Sequence, residues 1–235
     1  MENLEKKLKA IVGGDVLDVG SGRGEFIHII KEFNSFNKIT AADIEQRSGD
    51  FIIEHFKDIN IDFIKADAID LPFDDGSFDT VCISNSLHHL PDLEKILTEM
   101  KRVLRDGGNF IVNEMYCDDQ TEAQMSHVLL HHWFAKIDVI SGRYHDDTFT
   151  KSKIKEIIIN LDLYNFEVID YCWPIPDPKD AKMIQERVNL IDIGLKQLEG
   201  KDELEAMKIE GEKIRAHIEA NGFASASSLF VVGIK

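Results

Sequence analysis

Five short apolar runs between residues 15 and 115 alternate with segments of helical periodicity, and this alternation constrains the fold more than any other feature. The runs are DVLDVG, KITAAD, IDFIKAD, TVCIS and NFIVNEM. Apolar residues at helical spacing predict helices at residues 25–33, 51–56 and 93–104 among them. Strands that alternate with helices pair in parallel, because each connection crosses back over the sheet. The pattern therefore predicts an α/β protein with a mostly parallel sheet and helices on both faces.

The length of 235 residues suits one α/β domain, and we predict a single domain over residues 1–235. Two segments, 116–149 and 177–222, interrupt the strand–helix rhythm and are predicted to be helical lid or substrate-binding insertions. The second insertion carries one apolar helical stripe, with expected breaks at Gly200 and Gly211. Its apolar stripe either caps a pocket or packs against another subunit, so the chain could form a homodimer.

The formal net charge of −16 argues against a nucleic-acid partner, because an acidic protein repels the phosphate backbone. No apolar run is long enough to span a bilayer, so no membrane partner is expected. The three cysteines stand far apart without a CxxC pair, and an odd number does not build a disulfide framework. We therefore expect reduced thiols and a cytoplasmic location.

The segment VLDVGSGRGE, residues 16–25, joins a strand to a helix through three glycines. A dinucleotide-binding loop has the spacing G-x-G-x-x-G, but the third glycine position here holds Glu25. A P-loop is excluded because no Gly-Lys-Ser/Thr sequence follows. Asp18 and Glu25 flank the turn and repel a pyrophosphate, although an acid such as Glu25 also stabilises the first turn of a helix. The loop therefore favours a ligand with an ammonium or sulfonium group.

Three aspartates end successive strands of the predicted sheet: Asp18, Asp43 and Asp67. The carboxyl ends of neighbouring parallel strands meet at one edge, where α/β sheets bind ligands. Asp43 can accept hydrogen bonds from both hydroxyls of a ribose, or else it caps the following helix. Asp67 can accept a hydrogen bond from an exocyclic amine, or else it is a turn residue. Together the three carboxylates fit a ligand that contains an ammonium group, a ribose and an adenine.

Five segments, in order, resemble the motifs of class I S-adenosylmethionine-dependent methyltransferases: VLDVGSGRGEF, the acidic end of the second strand, ADAIDLPFDDGSFDTV, SNSLHHL and LRDGGNFIV. Within that class the chain is similar to the small-molecule group that includes the ubiquinone/menaquinone-biosynthesis enzymes. The resemblance implies a Rossmann-like seven-stranded sheet whose last strand, ASSLFVVGIK here, is antiparallel. It also implies that S-adenosyl-L-methionine is the cofactor and is bound by Asp18, Gly20, Ser21, Gly22, Gly24, Asp43, Ile44, Asp67, Ala68, Ser84 and Asn85.

The same resemblance implies that the chain transfers a methyl group to a small-molecule acceptor by in-line displacement. Such an enzyme mainly has to hold the acceptor close to the methyl group and aligned with it. Two other functions stay open on the sequence alone. One is a regulatory module that binds the cofactor without catalysis. The other is a dinucleotide oxidoreductase, against which the missing third glycine argues.

Two groups of histidines are candidates for acid–base chemistry. His88 follows the fourth strand and belongs to a residue type that titrates near neutral pH, so it is either a general base or a structural residue. In HVLLHHWF, His127 and His131 stand at i and i+4, a spacing that can grip a metal ion. We favour a lid helix with His131 as a catalytic candidate in the acceptor pocket, and we expect no metal.

Overall fold

The structure is a computed structural model that describes residues 1–235, and the chain divides into two compact units. Unit 1 contains residues 1–114, 152–171 and 229–235. Unit 2 contains residues 115–151 and 172–228. Both predicted insertions fall within unit 2. Their role as lids of a single domain stays a prediction.

The regular elements are seven strands and eight α-helices, with a short 3₁₀ turn at Leu87–His89. The strands are β1 (Asp15–Val19), β2 (Lys38–Asp43), β3 (Ile61–Lys65), β4 (Phe78–Ser84), β5 (Leu104–Met115), β6 (Tyr164–Tyr171) and β7 (Ser228–Ile234). The helices are α1 (Glu2–Leu8), α2 (Ile27–Ile30), α3 (Gln46–His55), α4 (Leu93–Val103), α5 (Glu122–Ile140), α6 (Lys151–Asn160), α7 (Ala181–Gln197) and α8 (Leu204–Asn221). None of the helices combines the length and the apolar character that a membrane span requires.

All seven strands form one sheet in the order β3-β2-β1-β4-β5-β7-β6. The first five of these strands run parallel, and β7 is antiparallel to β5 and β6. This arrangement confirms the predicted fold class and the antiparallel last strand. The chain leaves β1 in one direction toward β2 and returns on its other side as β4. In α/β sheets such a reversal opens a crevice for ligands at the carboxyl edge.

The centre of the sheet is covered on both faces. Val16 and Leu17 are neighbours on β1, point to opposite faces because strand side chains alternate, and are both fully buried. Val16 belongs to an apolar cluster with Leu4 of α1, Ile30 of α2 and Ile52 of α3. This cluster holds β1 and β2 rigidly, so the loops at their carboxyl ends start from fixed positions.

The helix predicted at 25–33 is shorter in the structure, where α2 spans only Ile27–Ile30. Tight turns with hydrogen bonds between residues i and i−3 replace α-helical hydrogen bonds on both sides of α2. Ile27 N–H donates to the Gly24 carbonyl, and Phe33 N–H donates to the Ile30 carbonyl. Glu25 therefore precedes the helix, and its predicted role in the first helical turn is wrong. The helix predicted at 51–56 begins earlier, at Gln46.

Unit 2 contains three helices, α5, α7 and α8, arranged around Trp133. The Trp133 side chain is fully buried, and its indole N–H donates to the Met207 carbonyl at 3.0 Å. The predicted break at Gly200 is confirmed, since that residue lies between α7 and α8. The predicted break at Gly211 is wrong. Gly211 lies inside α8, where an added Cβ would come 2.9 Å from Ile191, so its small size permits close helix packing.

Candidate functional site

The three glycines that follow β1 all adopt positive φ: 68° at Gly20, 52° at Gly22 and 84° at Gly24. The Gly20 N–H donates to the Ala42 carbonyl on β2 at 2.8 Å, which fixes the loop to the sheet. A Cβ at Gly24 would lie 2.6 Å from the Phe56 ring, so that glycine is needed for packing. A Cβ at Gly22 would meet no heavy atom closer than 3.5 Å. A Cβ at Gly22 would thus make only ordinary van der Waals contact, with the Glu25 carboxylate.

Asp18 lies on β1 with only 1% of its surface exposed. Its Oδ1 accepts a long hydrogen bond from the Cys82 thiol at 3.7 Å, and its Oδ2 has no hydrogen-bond partner. Burial raises the pKa of Asp18 to about 8; the Cys82 contact opposes this rise, while the carboxylates of Asp43 and Glu25 add to it. The buried Ser21 Oγ has no partner either. Buried polar atoms without partners are rare, so these two suit the ammonium end of the cofactor that the sequence predicts.

Asp43 connects the end of β2 to the glycine loop. Its Oδ2 accepts from the Gly22 N–H at 2.9 Å, and its Oδ1 accepts from the Glu45 N–H at 2.8 Å. A carboxylate has about four acceptor sites, so both oxygens retain capacity for ribose hydroxyls. The N-cap of α3 is Glu45, so the alternative role of Asp43 as a helix cap is wrong. Ile44 beside it is 61% exposed, an apolar surface next to the predicted ribose position.

Asp67 and Ala68 lie just beyond the third strand, because β3 already ends at Lys65. Asp67 is exposed, and its Oδ1 accepts from the Ile69 N–H at 3.1 Å. The structure therefore contains the turn that the sequence offered as the alternative for Asp67. Its contact with an adenine amine stays a prediction, as does the place of Ala68 beside the ring.

The end of β4 is hydrogen-bonded to β5 on one side and to the glycine loop on the other. The Ser84 Oγ accepts from the Asn113 side chain at 2.9 Å, and Asn85 has the strained φ of 45°. The Ser86 hydroxyl lies between two carbonyl groups, 3.2 Å from that of Gly20 and 2.9 Å from that of Ser84. Sequence reasoning does not identify Ser86, although the SNS tripeptide after an apolar strand is a signal for such a contact. Ser86 couples the glycine loop to the end of β4.

His88 is fully buried, and its Nδ1 lies 2.6 Å from Oε1 of Glu114, which is also fully buried. The other Glu114 oxygen accepts from the backbone N–H groups of Ser86 and Leu87, at 3.2 and 3.1 Å. One carboxylate thus holds both the turn after β4 and the imidazole ring. Sequence reasoning does not assign Glu114 this role. The signal is an acid inside the apolar run NFIVNEM, next to a strand that ends in histidines.

His131 belongs to unit 2, whereas His88 belongs to unit 1. Its i+4 neighbour His127 is engaged elsewhere, since its Nδ1 accepts from the Ala226 N–H at 3.0 Å. Burial lowers the pKa of His127 to about 4, and the nearby Arg187 adds to this effect, so His127 is neutral at physiological pH. The nitrogen that approaches His131 belongs instead to His145, with the two Nε2 atoms 3.2 Å apart.

Comparison with known proteins relates this geometry to a family. A family described as a methyltransferase domain matches residues 17–112. The ubiquinone/menaquinone biosynthesis C-methyltransferase UbiE of Hahella chejuensis is 37% identical over 110 residues, which cover 43% of this chain and 43% of that protein. The YcgJ protein of Bacillus subtilis superposes with a TM-score of 0.62 at 19% identity, covering 100% of this chain and 97% of the other. Phosphoethanolamine N-methyltransferase 2 of Haemonchus contortus, bound to phosphomonomethylethanolamine and S-adenosylhomocysteine, gives 0.57 at 16% identity, covering 100% and 52%.

The chain spans less than half the length of the first curated relatives that it matches: 43%, 34% and 42%. The solved structures, at their low identity, support the fold. The family match covers the glycine loop, Asp43 and β4, which belong to the candidate site. Over residues 17–112 the chain is therefore similar to the class I S-adenosylmethionine-dependent methyltransferases, and these similarities support S-adenosylmethionine as the cofactor.

Proposed function

We propose that this chain transfers a methyl group from S-adenosylmethionine to a small-molecule acceptor by in-line displacement. The observation that carries the proposal is the buried carboxyl of Asp18, which has one unpartnered oxygen and lies on the strand that leads into the glycine loop. A buried acid whose pKa is raised to about 8 lacks a positive partner. The family's cofactor carries an ammonium group that supplies this partner.

When bound, the cofactor supplies a methyl group on an electrophilic sulfonium. In the proposal, Asp18 pairs with the ammonium group and Gly22 lets the backbone approach the ligand. Asp43 accepts the ribose hydroxyls through the capacity that its two backbone contacts leave. The remaining proposed contacts are with the adenine, from Ile44, Asp67 and Ala68, and with the methionine part, from Gly20, Ser21, Gly24, Ser84 and Asn85.

The acceptor is proposed to be a small molecule. The names of the similar proteins include carbon and nitrogen methyltransferases that act on small molecules, and the net charge of −16 disfavours nucleic acid. All three cysteines are free thiols, which supports the proposed cytoplasmic location. The homodimer and the place of His131 in an acceptor pocket stay predictions.

Binding of S-adenosylhomocysteine is expected to release a proton from Asp18. In the ligand-free protein the carboxyl has a pKa of about 8, and an ammonium partner favours its ionised form. At pH 7 the release is expected to be about 0.9 proton per ligand, and affinity is expected to rise about tenfold per pH unit between pH 5.5 and 7.5. Calorimetry in buffers of different ionisation enthalpy measures both quantities.

The exposed Asp50→Asn variant is the matched control and should release the same number of protons as the wild type. Absence of micromolar binding would contradict the proposed cofactor site, and binding without proton release would contradict the role of Asp18. Cofactor binding without methyl transfer to any acceptor in a broad small-molecule panel would favour the regulatory module instead.

We also propose that His88 accepts a proton from the acceptor and that Glu114 positions it. The Glu114 carboxylate orders the ring through Nδ1, which directs Nε2 away from the acid. The variant His88→Gln is expected to lower kcat by about 100-fold to 10,000-fold without changing the cofactor Kd. Glu114→Gln is expected to lower kcat less and to leave KM for the cofactor unchanged.

His55→Gln, an exposed histidine of α3 in the same unit, is the matched control and should retain wild-type kcat. Because His88 is fully buried, the alternative is a purely structural role. That alternative predicts a lower Tm for His88→Gln with kcat retained at temperatures where the variant is folded, and this result would disprove the base assignment.

A further inference from the structure

We propose that His131 and His145 of unit 2 bind a divalent transition-metal ion, with Zn²⁺ as the expected ion. The proposal concerns ion binding and does not depend on methyl transfer. His131 lies on α5, and His145 lies on the segment that follows this helix. Their Nε2 atoms are 3.2 Å apart, and their rings are inclined by 72°. The two rings are therefore not stacked, and their Nε2 edges face each other.

The separation of the two nitrogens fits coordination of a single ion. Two imidazole nitrogens on a tetrahedral zinc, each at 2.0–2.1 Å, lie about 3.3–3.4 Å from each other. The observed 3.2 Å is close to this value. Imidazole nitrogen is also a preferred ligand for zinc, copper and nickel ions. A hydrogen bond from one ring to the other spans a similar distance, so metal binding has to be measured directly.

The His145 ring is oriented for coordination by Asp138. Its Nδ1 lies 2.7 Å from Asp138 Oδ2, and the other Asp138 oxygen accepts from Arg143. Since this carboxylate already pairs with a guanidinium, it acts as an acceptor and the Nδ1 of His145 donates. The Nε2 of His145 is then the ring nitrogen left to coordinate an ion, and it faces His131. A carboxylate behind a histidine in this way fixes the ring and strengthens it as a metal ligand.

Both ligands are held in place before an ion binds. His145 is only 7% exposed although it lies outside any helix. His131 stands two residues before Trp133, whose buried indole ties α5 to α8. A preorganised pair loses little conformational entropy when it binds an ion. Two imidazoles leave the other coordination positions for further ligands, so we expect affinity in the micromolar range.

The test is titration of tag-free, chelator-treated full-length protein with Zn²⁺, followed by calorimetry and by competition with a chromophoric chelator. We expect one ion per chain at this site and a higher Tm in its presence. His131→Gln and His145→Gln should each weaken binding at least about tenfold, and Asp138→Asn by about 10- to 100-fold. His132→Gln is the matched control, because His132 is adjacent on α5 but its Nε2 bonds to Thr148 at 2.8 Å.

Wild-type protein that binds no Zn²⁺ below millimolar concentration would overturn the proposal and leave a plain hydrogen bond between the rings. Folded histidine variants that bind as tightly as the wild type would overturn it as well. If the variants do not fold, the wild type still decides the question. Co²⁺ should then give the intense visible bands of a tetrahedral nitrogen site and shift the ¹⁵N resonances of both rings; absence of either signal contradicts the site.

Discussion

The variant Asp18→Asn is expected to bind S-adenosylhomocysteine about 100-fold more weakly than the wild type, since a charge-assisted hydrogen bond contributes about 1.5–3 kcal/mol. The same variant is expected to be more stable than the wild type without ligand at alkaline pH. The two effects have one cause. Asp18 is a buried carboxyl with one unpartnered oxygen, and the ammonium group of the cofactor is its proposed partner.

The sign of the pH effect follows from the raised pKa. The carboxyl has a pKa of about 8 in the folded protein and 3.8 as its ordinary value, so the folded state binds the proton more tightly. This contribution to the free energy of unfolding is fully present below pH 4 and is lost as the pH rises through 8. Asparagine has no such titration, so the stability of the variant relative to wild type should increase over this window.

Chemical denaturation at pH 5 and pH 9, with and without ligand, measures both effects. Asp50→Asn is again the control and should follow the wild type in each condition. An Asp18→Asn protein that keeps wild-type affinity would contradict the pairing with the ammonium group. A variant that is less stable than the wild type at pH 9 would contradict an unpartnered buried charge.

The variant Gly22→Val is expected to lose cofactor binding, with an affinity at least about 100-fold below that of the wild type. Valine is strongly disfavoured at the φ of 52° that Gly22 adopts, and a left-handed conformation costs a non-glycine residue about 1–2 kcal/mol. An added Cβ would make ordinary van der Waals contact with the Glu25 carboxylate at 3.5 Å, without a clash. We therefore expect the valine side chain to reduce affinity by occupying space proposed for the ligand.

Gly107→Val is a matched control for this prediction. Gly107 also has a left-handed φ, at 81°, and an added Cβ there would have no neighbour within 4 Å. It lies near the beginning of β5, away from the carboxyl edge of the parallel sheet. Both variants should lose similar stability in denaturation, but only Gly22→Val should lose affinity in calorimetry. Equal affinity losses would mean that strain, and not the site, explains the result.

The central part of the fold could be predicted because its elements are encoded locally. The runs DVLDVG and KITAAD correspond to β1 and β2, and the segment ASSLFVVGIK contains β7. A parallel strand that is buried on both faces requires an uninterrupted run of apolar residues, and such a run can be recognised in the sequence alone. Helix ends were less well predicted. At α2, turns with hydrogen bonds between residues i and i−3 compete with α-helical hydrogen bonds. At Gly211, close packing against Ile191 outweighs the helix-breaking tendency of glycine.

The side-chain partners in the candidate site could be predicted only in part. The spacing of Asp18, Gly22 and Asp43 indicated a common edge of the sheet, and the hydrogen bond between Gly22 and Asp43 connects two members of this set. Nothing in the sequence paired Glu114 with His88, because their contact joins positions 26 residues apart on different elements. The sequence pairs His131 with its i+4 neighbour His127, whereas in the structure the nitrogen that approaches His131 belongs to His145.

By itself, the sequence determined the strand–helix alternation, the position of the glycine loop and the row of acids, because periodicity, turn chemistry and strand ends are properties of neighbouring residues. Only the tertiary structure decided that one oxygen of the buried Asp18 has no partner, that Glu114 holds His88, and that the Nε2 atoms of His131 and His145 lie 3.2 Å apart. Desolvation and contact depend on atoms brought together from distant parts of the chain, and these terms set the chemistry of a side chain.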